Sequence, residues 1–493
     1  MKKRSLILVT VDCLRADHVG FLGYSRPVTP FLDSLAPQST IFSDAIVAGA
    51  PTYFSFPGIM ASRHALALGR DILGIAPGEA TIATELHKAG YKTAAFVAGN
   101  PYLSARFGYD QGFDNFQDYL GASLDTVFTP DHPSGSKLNR MLHSVSRKTR
   151  FTAAAYDKLY FHYGLWRSTR QNLSLDQLRR YPAADVIVDH ASTWLNSVGS
   201  DSFFLWIHLM DPHHPYYPPQ EAISALGATD IDAQRARQLN ANWNRGDVGP
   251  ASLERHRSQI LTLYDAGIYW ADKQIARLAE TLKGFQLWDD SVFVVTADHG
   301  EGFLEHGARY HSPENLPEQL IHVPLLIHSR GEQPRTIAST FSQIHLAPTL
   351  LQSLQVPVPE TFQGQSHWTA IASGAPINDV SVVECLDACN NPFHIEDRMR
   401  SRLLAVRDSE YKLVIHFGEK REELYDLKHD PQELSPLRAD AMKDVRHRLW
   451  QVARIHLQQS RQGRESLIAF GARIRQFQQS VQPSHPSSPE SAP

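Results

Sequence analysis

The sequence predicts an α/β protein whose main sheet is parallel, followed from about residue 370 by a smaller α+β unit, and three stretches carry that prediction. Leu6 to Val11 is a continuous apolar run, as suits a strand buried on both faces, and it ends on Asp12. Thr81 to Gly90 has helical apolar spacing closed by a glycine, and Tyr91 to Ala98 then reads as a strand, a helix-to-strand unit of a parallel sheet. Val292 to Ala297 is another apolar strand and runs straight into Asp298-His299-Gly300-Glu301, with Glu305-His306-Gly307 close behind.

The remaining elements follow in order. Pro182 to Leu195 reads as a helix with proline in its first turn, and Phe203 to Leu209 as a strand leading into Asp211-Pro212-His213-His214-Pro215. Ile268 to Leu282 is a helix ahead of the strand that carries Asp298. Residues 118–180 break the rhythm and read as an inserted helical cap. Its Lys137, Arg140, Arg147, Lys148, Arg150 and Lys158 suit either an anionic substrate or a solvated helix face. The expected division is a catalytic domain over 1–370, an α+β subdomain over 371–477 and a disordered Ser/Pro-rich tail over 478–493. The subdomain contains strands at Leu403 to Arg407, Tyr411 to His416 and Glu423 to Leu427.

Composition narrows the class. The 493 residues are 42% hydrophobic and 20% charged, ordinary globular values. With net charge −4 and a pI near 6.7, no global basic field advertises nucleic acid or a membrane surface, so no nucleic-acid partner is expected. The apolar stretch after Lys2, Lys3 and Arg4 stops at Asp12 without a small-residue cleavage site, so no signal peptide is expected. No segment approaches the ~18 apolar residues of a spanning helix. Cys13, Cys385 and Cys389 cannot build a disulfide framework, which agrees with a reducing compartment, and a cytoplasmic protein is expected. Cys385 and Cys389 lack a second pair at zinc-finger spacing and read as incidental thiols.

Parallel sheets collect ligands outside the carboxyl ends of their strands. Asp12 and Asp298 both stand at such ends, and with His299 they form a set able to share one cation. Asp12 as a simple helix cap is the duller alternative, and His208, inside an apolar strand, reads as a hydrogen-bonded core histidine.

In order along the chain, Asp12 to His18, Thr29 to Ala36, Ala297 to Glu301, Val323-Pro324, Ala347 to Thr349, Gln363 to Ser366 and Leu424 to Pro431 resemble the landmarks of the sulfatase family of the alkaline phosphatase superfamily. The likeness spans most of residues 5 to 435. It implies a mixed, mainly parallel sheet between helices and a small carboxyl-terminal sheet-and-helix subdomain. In that family the nucleophile is Cys or Ser at the head of a C/S-x-P-x-R pattern, matured to formylglycine. The corresponding stretch is similar to Thr52 to Pro57, which places Thr52 at the nucleophile position and Phe54 and Phe56 where Pro and Arg would stand. Formylglycine is therefore not expected, and Ser55 is the rival nucleophile.

The resemblance further implies a metal cage of Asp12, Thr52, Asp298 and His299. Cys13 stands where a second aspartate is usual, and His299 replaces a common asparagine. One fewer hard oxygen and one more imidazole move the preference from Ca²⁺ or Mg²⁺ toward Mn²⁺ or Zn²⁺, and the Cys13 side chain is expected to point into the core. Asp211 is followed four residues later by Pro215 rather than His, so one divalent metal is expected, not two. His213 resembles the family's substrate-oxygen or leaving-group histidine, and His311 lies where a lysine often stands near the leaving group. His306 is a further candidate for the anionic oxygens, and Arg15 for substrate binding, with Asp17 as its structural partner. His345, where aspartate is common, alters only a helix-start contact.

A threonine ester of sulfate cannot be shed by elimination, as a formylglycine hydrate sheds it, whereas phosphoryl transfer suits an activated threonine. The expectation is a metal-dependent hydrolase of a phosphomonoester or phosphodiester acting through covalent Thr52. The substrate is a small-molecule, glycan or lipid-headgroup anionic ester. A sulfatase, a phospho-group transferase to an alcohol, and a noncatalytic anion- or partner-binding protein remain open alternatives, as do the metal and the oligomeric state.

Overall fold

The computed structural model describes residues 3–121, 174–245, 250–312, 314–377 and 379–460. Most of the expected helical cap with its basic residues, and the carboxyl-terminal tail, lie outside these residues.

The main sheet is built from β1 (Ser5–Val11), β2 (Thr40–Ile46), β3 (Lys92–Val97), β4 (Asn115–Gln117), β5 (Phe203–Leu209) and β6 (Ser291–Ala297). A short hairpin of β7 (Gly302–Phe303) and β8 (Arg309–Tyr310) follows, and β9 (His322–Ser329), β10 (Arg335–Ile337) and β11 (Phe341–Ser342) complete the main sheet. Its order is β10-β2-β9-β6-β1-β5-β3-β4, with β11 also on β2. From β6 through β1, β5 and β3 to β4 every pairing is parallel. Antiparallel β9 stands between β6 and β2, which makes the sheet mixed. β1, β5 and β6 are buried along their whole length, as expected for strands covered on both faces.

The helices that matter here are α1 (Pro30–Leu35), α2 (Thr52–Ala61), α3 (Ile82–Lys88), α4 (Ala184–Val198), α5 (Ala233–Trp243) and α6 (Pro250–Gly284). Thr81 caps α3 by accepting the Thr84 N–H, in a reciprocal capping box. The helix expected from Ile268 is the second half of the 35-residue α6. Its first half, Glu254 to Gln259, is polar enough to hide the apolar period.

A second, antiparallel sheet is formed by β12 (Ser381–Leu386), β13 (Arg402–Arg407), β14 (Tyr411–His416) and β15 (Arg421–Asp426). Alternate residues serve two cores, as the period of two in a strand requires. Val383, Cys385, Leu403, Ala405, Val414 and Tyr425 join the main core. Val382, Leu404, Val406, Leu413, Ile415 and Leu424 pack instead under Leu449 and Ala453 of a helix over 443–460. Among the described residues, no helix is long and apolar enough to cross a membrane.

Candidate active site

Parallel register delivers the first ligands. Val11 at the end of β1 lies opposite Ala297 of β6 and Leu209 of β5, so Asp12, Asp298 and Met210-Asp211 leave three adjacent strands at one level. Asp12 and Asp298 are fully buried. Asp12 Oδ2 accepts from Asn100 Nδ2 at 3.0 Å and lies 3.2 Å from His208 Nε2. Asp298 Oδ1 accepts the backbone N–H groups of Cys13 at 3.3 Å and His299 at 3.0 Å, while Asp298 Oδ2 is buried with no hydrogen-bond partner.

His299 Nδ1 lies 2.8 Å from the Gly300 carbonyl, which assigns the ring proton to Nδ1 and leaves a lone pair on Nε2. That nitrogen faces Thr52 Oγ1 at 3.1 Å, Asp298 Oδ2 at 3.5 Å and Asp12 Oδ1 at 3.8 Å. Thr52 is the first residue of α2, which is buried on every side. Its side chain is only 4% exposed, so it forms the floor of a cleft and not an open surface. Phe56 closes off the space behind it. Its ring meets His208 edge-on at 5.2 Å and Trp206 at 5.5 Å, so an apolar ring fills the position of the family's arginine.

Cys13 corrects the expectation that its side chain is spent on the core. It adopts a left-handed φ of 61°, which turns the chain just after the strand end. Its Sγ is 3.0 Å from Asp12 Oδ1 and 3.6 Å from His311 Nδ1. Donor atoms of Cys13, His299 and His311 lie within 4.8 Å of one another, as do those of Asp12, Cys13 and His213. An orphaned carboxylate oxygen on Asp298 and the lone-pair imidazole of His299 beside the Thr52 hydroxyl, with the Cys13 thiol grouped near the same imidazole, are donors suited to a divalent cation, so the residues fit a metal.

The cleft above this floor encloses about 490 Å³. His213, His214, His311, Tyr53, Tyr102 and Arg309 are among the residues that line it. His213 stacks on His214 at 4.4 Å. His311 lies 3.4 Å from Glu301 Oε1, and Tyr216 donates to Glu301 Oε2 at 3.2 Å.

The electrostatics are steep. Burial works against ionised Asp12, but His213, His208 and His299 override it and hold its carboxyl well below the usual range. Burial and the neighbouring Asp12 push Asp298 up. Burial, with Glu301, Asp12 and Asp298 adding to it, pushes the Cys13 thiol up. Desolvation and His214 take His213 down to about 3, so its ring is neutral at physiological pH. Glu301, despite burial, is kept ionised by His311 and His214.

The structure brings Asp12, Thr52, Asp298, His299, His213 and His311 together. It does not bring Arg15 to the cleft. Arg15 is buried and its guanidinium is committed to Asp17 at 2.7 and 2.8 Å, Glu305 at 2.6 Å and the Glu301 carbonyl at 3.1 Å, so it braces the loop instead of facing a substrate. His306 does not line the cleft, although its Nε2 is buried without a partner. Ser55 is fully buried within α2 and also stays out of the cleft.

Sequence reasoning missed three participants. Asn100 follows the carboxyl end of β3, and the strand-end rule applied to every parallel strand finds it. His208, read only as a core histidine, links Thr10 Oγ1 at 2.9 Å to Asp12. Glu301 has its signal in its position within the Asp298-His299-Gly300-Glu301 run.

The sulfatase family profile matches residues 4–356, and the profile described as N-sulphoglucosamine sulphohydrolase, C-terminal, matches 307–459. The chain is 25% identical to a choline-sulfatase of Rhizobium meliloti, over 72% of this chain and 67% of that protein. It is 21% identical to an arylsulfatase of Clostridium perfringens, over 88% and 90%. Among solved structures, BT4656 in complex with D-glucosamine-2-N,6-O-disulfate superposes with a TM-score of 0.70 at 16% identity, covering 94% of this chain and 99% of that one. The phosphonate monoester hydrolase of Agrobacterium radiobacter superposes with a TM-score of 0.65 at 19% identity, covering 94% and 96%. With most of its length matched by the family profile, the chain belongs to the sulfatase family.

Proposed function

We propose that this sulfatase-family ester hydrolase cleaves a phosphate ester through a covalent intermediate on Thr52. The observation that carries the reading is the Thr52 hydroxyl, 3.1 Å from the lone-pair nitrogen of His299, in a segment where Phe54 and Phe56 replace the residues that formylglycine formation requires.

In the first step Thr52 Oγ bonds to phosphorus as the ester P–O bond breaks. The threonine proton is taken up within the His213 and His311 imidazole set, and the same set returns a proton to the departing alcohol oxygen. Glu301 gives His311 a carboxylate partner that orients its ring. Water then bonds to phosphorus as the Oγ–P bond breaks, Thr52 regains its proton, and phosphate or a phosphomonoester leaves. Asp12, Thr52, Asp298 and His299, with Cys13 nearby, would hold a divalent cation, which when bound would lower the hydroxyl pKa and neutralise charge. The imidazole and sulfur donors favour Mn²⁺ or Zn²⁺ over Ca²⁺ or Mg²⁺.

A sulfate ester is the second reading, favoured by relatives that are named sulfatases. One assay separates the two: initial rates on matched aryl phosphate, phosphodiester and sulfate esters after reconstitution with Mn²⁺, Zn²⁺ or Ca²⁺, with intact-mass analysis of quenched enzyme. Phosphate-ester turnover with a phosphoryl adduct on Thr52 supports the proposal. Preferential sulfate release overturns it.

A further inference from the structure

Away from the cleft, three buried side chains from distant parts of the chain meet. His64 lies just past α2, Glu384 in β12 and His456 in the helix over 443–460, and one ligand atom from each lies within 4.8 Å of the other two. Glu384 is fully buried and both histidines are buried. None of the three lines the Thr52 cleft.

Their hydrogen bonds leave the atoms a cation needs. A carbonyl only accepts, so the Ala48 oxygen 3.3 Å from His64 Nδ1 assigns the ring proton to Nδ1 and leaves a lone pair on Nε2. Glu384 Oε1 accepts the Leu66 N–H at 2.7 Å, which fixes the carboxylate, and Oε2 stands 3.0 Å from His456 Nε2. Two ligands of one tetrahedral ion, with bonds of ~2.0–2.1 Å, stand ~3.3 Å apart, so this pair needs little movement to share one. The His64 and His456 rings meet edge to face at 4.5 Å. Charge agrees with geometry. Desolvation and His456 take His64 down to about 3, so its ring is neutral, and burial works against ionised Glu384 but His456, Arg402 and His64 override it. Arg402 Nε comes only to 4.0 Å from Glu384 Oε2, beyond hydrogen-bond length. The same proton accounting excludes a further group of His345, His367 and Asp379. There the Gln365 N–H donates to His345 Nδ1 at 2.9 Å, so the ring proton sits on Nε2, 3.1 Å from Asp379, and no lone pair faces that carboxylate.

We propose that His64, Glu384 and His456 bind a structural divalent cation, separate from the one expected in the Thr52 cleft. Two imidazoles and one carboxylate suit Zn²⁺, with water as the fourth ligand of a tetrahedron. The ion takes the place of the proton between His456 and Glu384 and pins the last helix and β12 to the segment that follows α2. Burial of all three ligands makes it a folding element and not a second reaction centre. The site holds whatever the chemistry at Thr52 is.

The test uses the full chain refolded or expressed with Zn²⁺ and then dialysed free of loose metal. Anomalous diffraction across the zinc edge on wild-type crystals is expected to show a peak between His64, Glu384 and His456. Asp298→Asn, which removes a ligand of the cleft ion, keeps one equivalent of Zn²⁺ by elemental analysis. Adding His456→Gln lowers the affinity for that remaining ion at least ~10-fold in competition with a chelator, and removes the rise in thermal midpoint that Zn²⁺ gives Asp298→Asn. If the double variant does not fold, the wild-type map and the Asp298→Asn count still decide. No peak at these residues, a peak only at Asp12 and Asp298 or at His345 and His367, or an affinity that survives His456→Gln overturns the site. So does an ion present in crystals but absent from the dialysed protein.

Discussion

At the scale of single residues the site depends on a hydroxyl with one good neighbour. Thr52→Ala removes the proposed nucleophile and leaves the packing of α2 almost untouched, so kcat is expected to fall at least ~10³-fold with an unchanged unfolding midpoint. Full activity in that variant would refute the assignment, and Thr52→Ser should keep measurable turnover. Asn100→Ala removes a donor from Asp12 Oδ2, leaving His208 as that oxygen's remaining partner. A drop in metal affinity of ~10-fold or more is expected, read by competition with a chelator. The convergence of Asp12, Asp298 and His299 was legible in the sequence because side chains at the carboxyl ends of adjacent parallel strands meet. The Cys13 direction was not, since a left-handed φ at a non-glycine residue leaves no mark in composition. Arg15 was misread for a related reason, because an arginine bound to buried acids and one bound to substrate look identical in a string of letters.

At the scale of elements, α2 shows why the formylglycine chemistry cannot simply be restored. Phe56 is fully buried against His208, Trp206 and Tyr109. Phe56→Arg would bury a guanidinium among rings, and a loss of about 3 kcal/mol or more is expected in denaturant unfolding. Unchanged stability would mean the helix has room that its packing denies. Gly300 is similarly constrained, because a Cβ there would meet the Gln319 carbonyl oxygen at 1.9 Å. Gly300→Ala must displace the turn that aims His299, so metal affinity and activity should fall together. Strand β5 coincides with its predicted bounds and β3 and β6 lie within a residue or two of theirs, because fully buried parallel strands are unbroken apolar runs. The antiparallel direction of β9 was not legible, since strand direction is set by long-range connection and not by local sequence.

At the scale of the whole molecule, the two sheets are joined by buried charge. Arg407 of β13 bonds Asp44 of β2 at 2.6 Å and Glu318 at 3.0 Å, and Glu318 also meets the fully buried Lys412 of β14 at 3.2 Å. Burial alone would raise the Glu318 carboxyl, but Arg407 and Lys412 bring it down from 4.5 to about 2. Its folded pKa lies below its unfolded one, so its contribution to stability is present above about pH 4.5 and is lost as pH falls toward 2. Glu318→Gln should lower stability at neutral pH and flatten its decline over that acid window, as measured by urea unfolding at several pH values. A decline as steep as in the wild type would show that other carboxylates govern the acid limb.

Glu384 of β12 makes the junction between the sheets more than a contact. Its N–H donates to the Ala48 carbonyl at 3.1 Å, its side chain accepts the Leu66 N–H at 2.7 Å, and it lies 3.0 Å from His456 of the last helix. Ala48 and Leu66 bracket the segment that presents Thr52, so the chain that holds the proposed nucleophile is framed from behind by residues more than three hundred positions later. The Thr52 segment and the carboxyl-terminal unit are therefore a single inheritance. Neither can be exchanged between relatives, trimmed for expression or redesigned for a new substrate without carrying the other along.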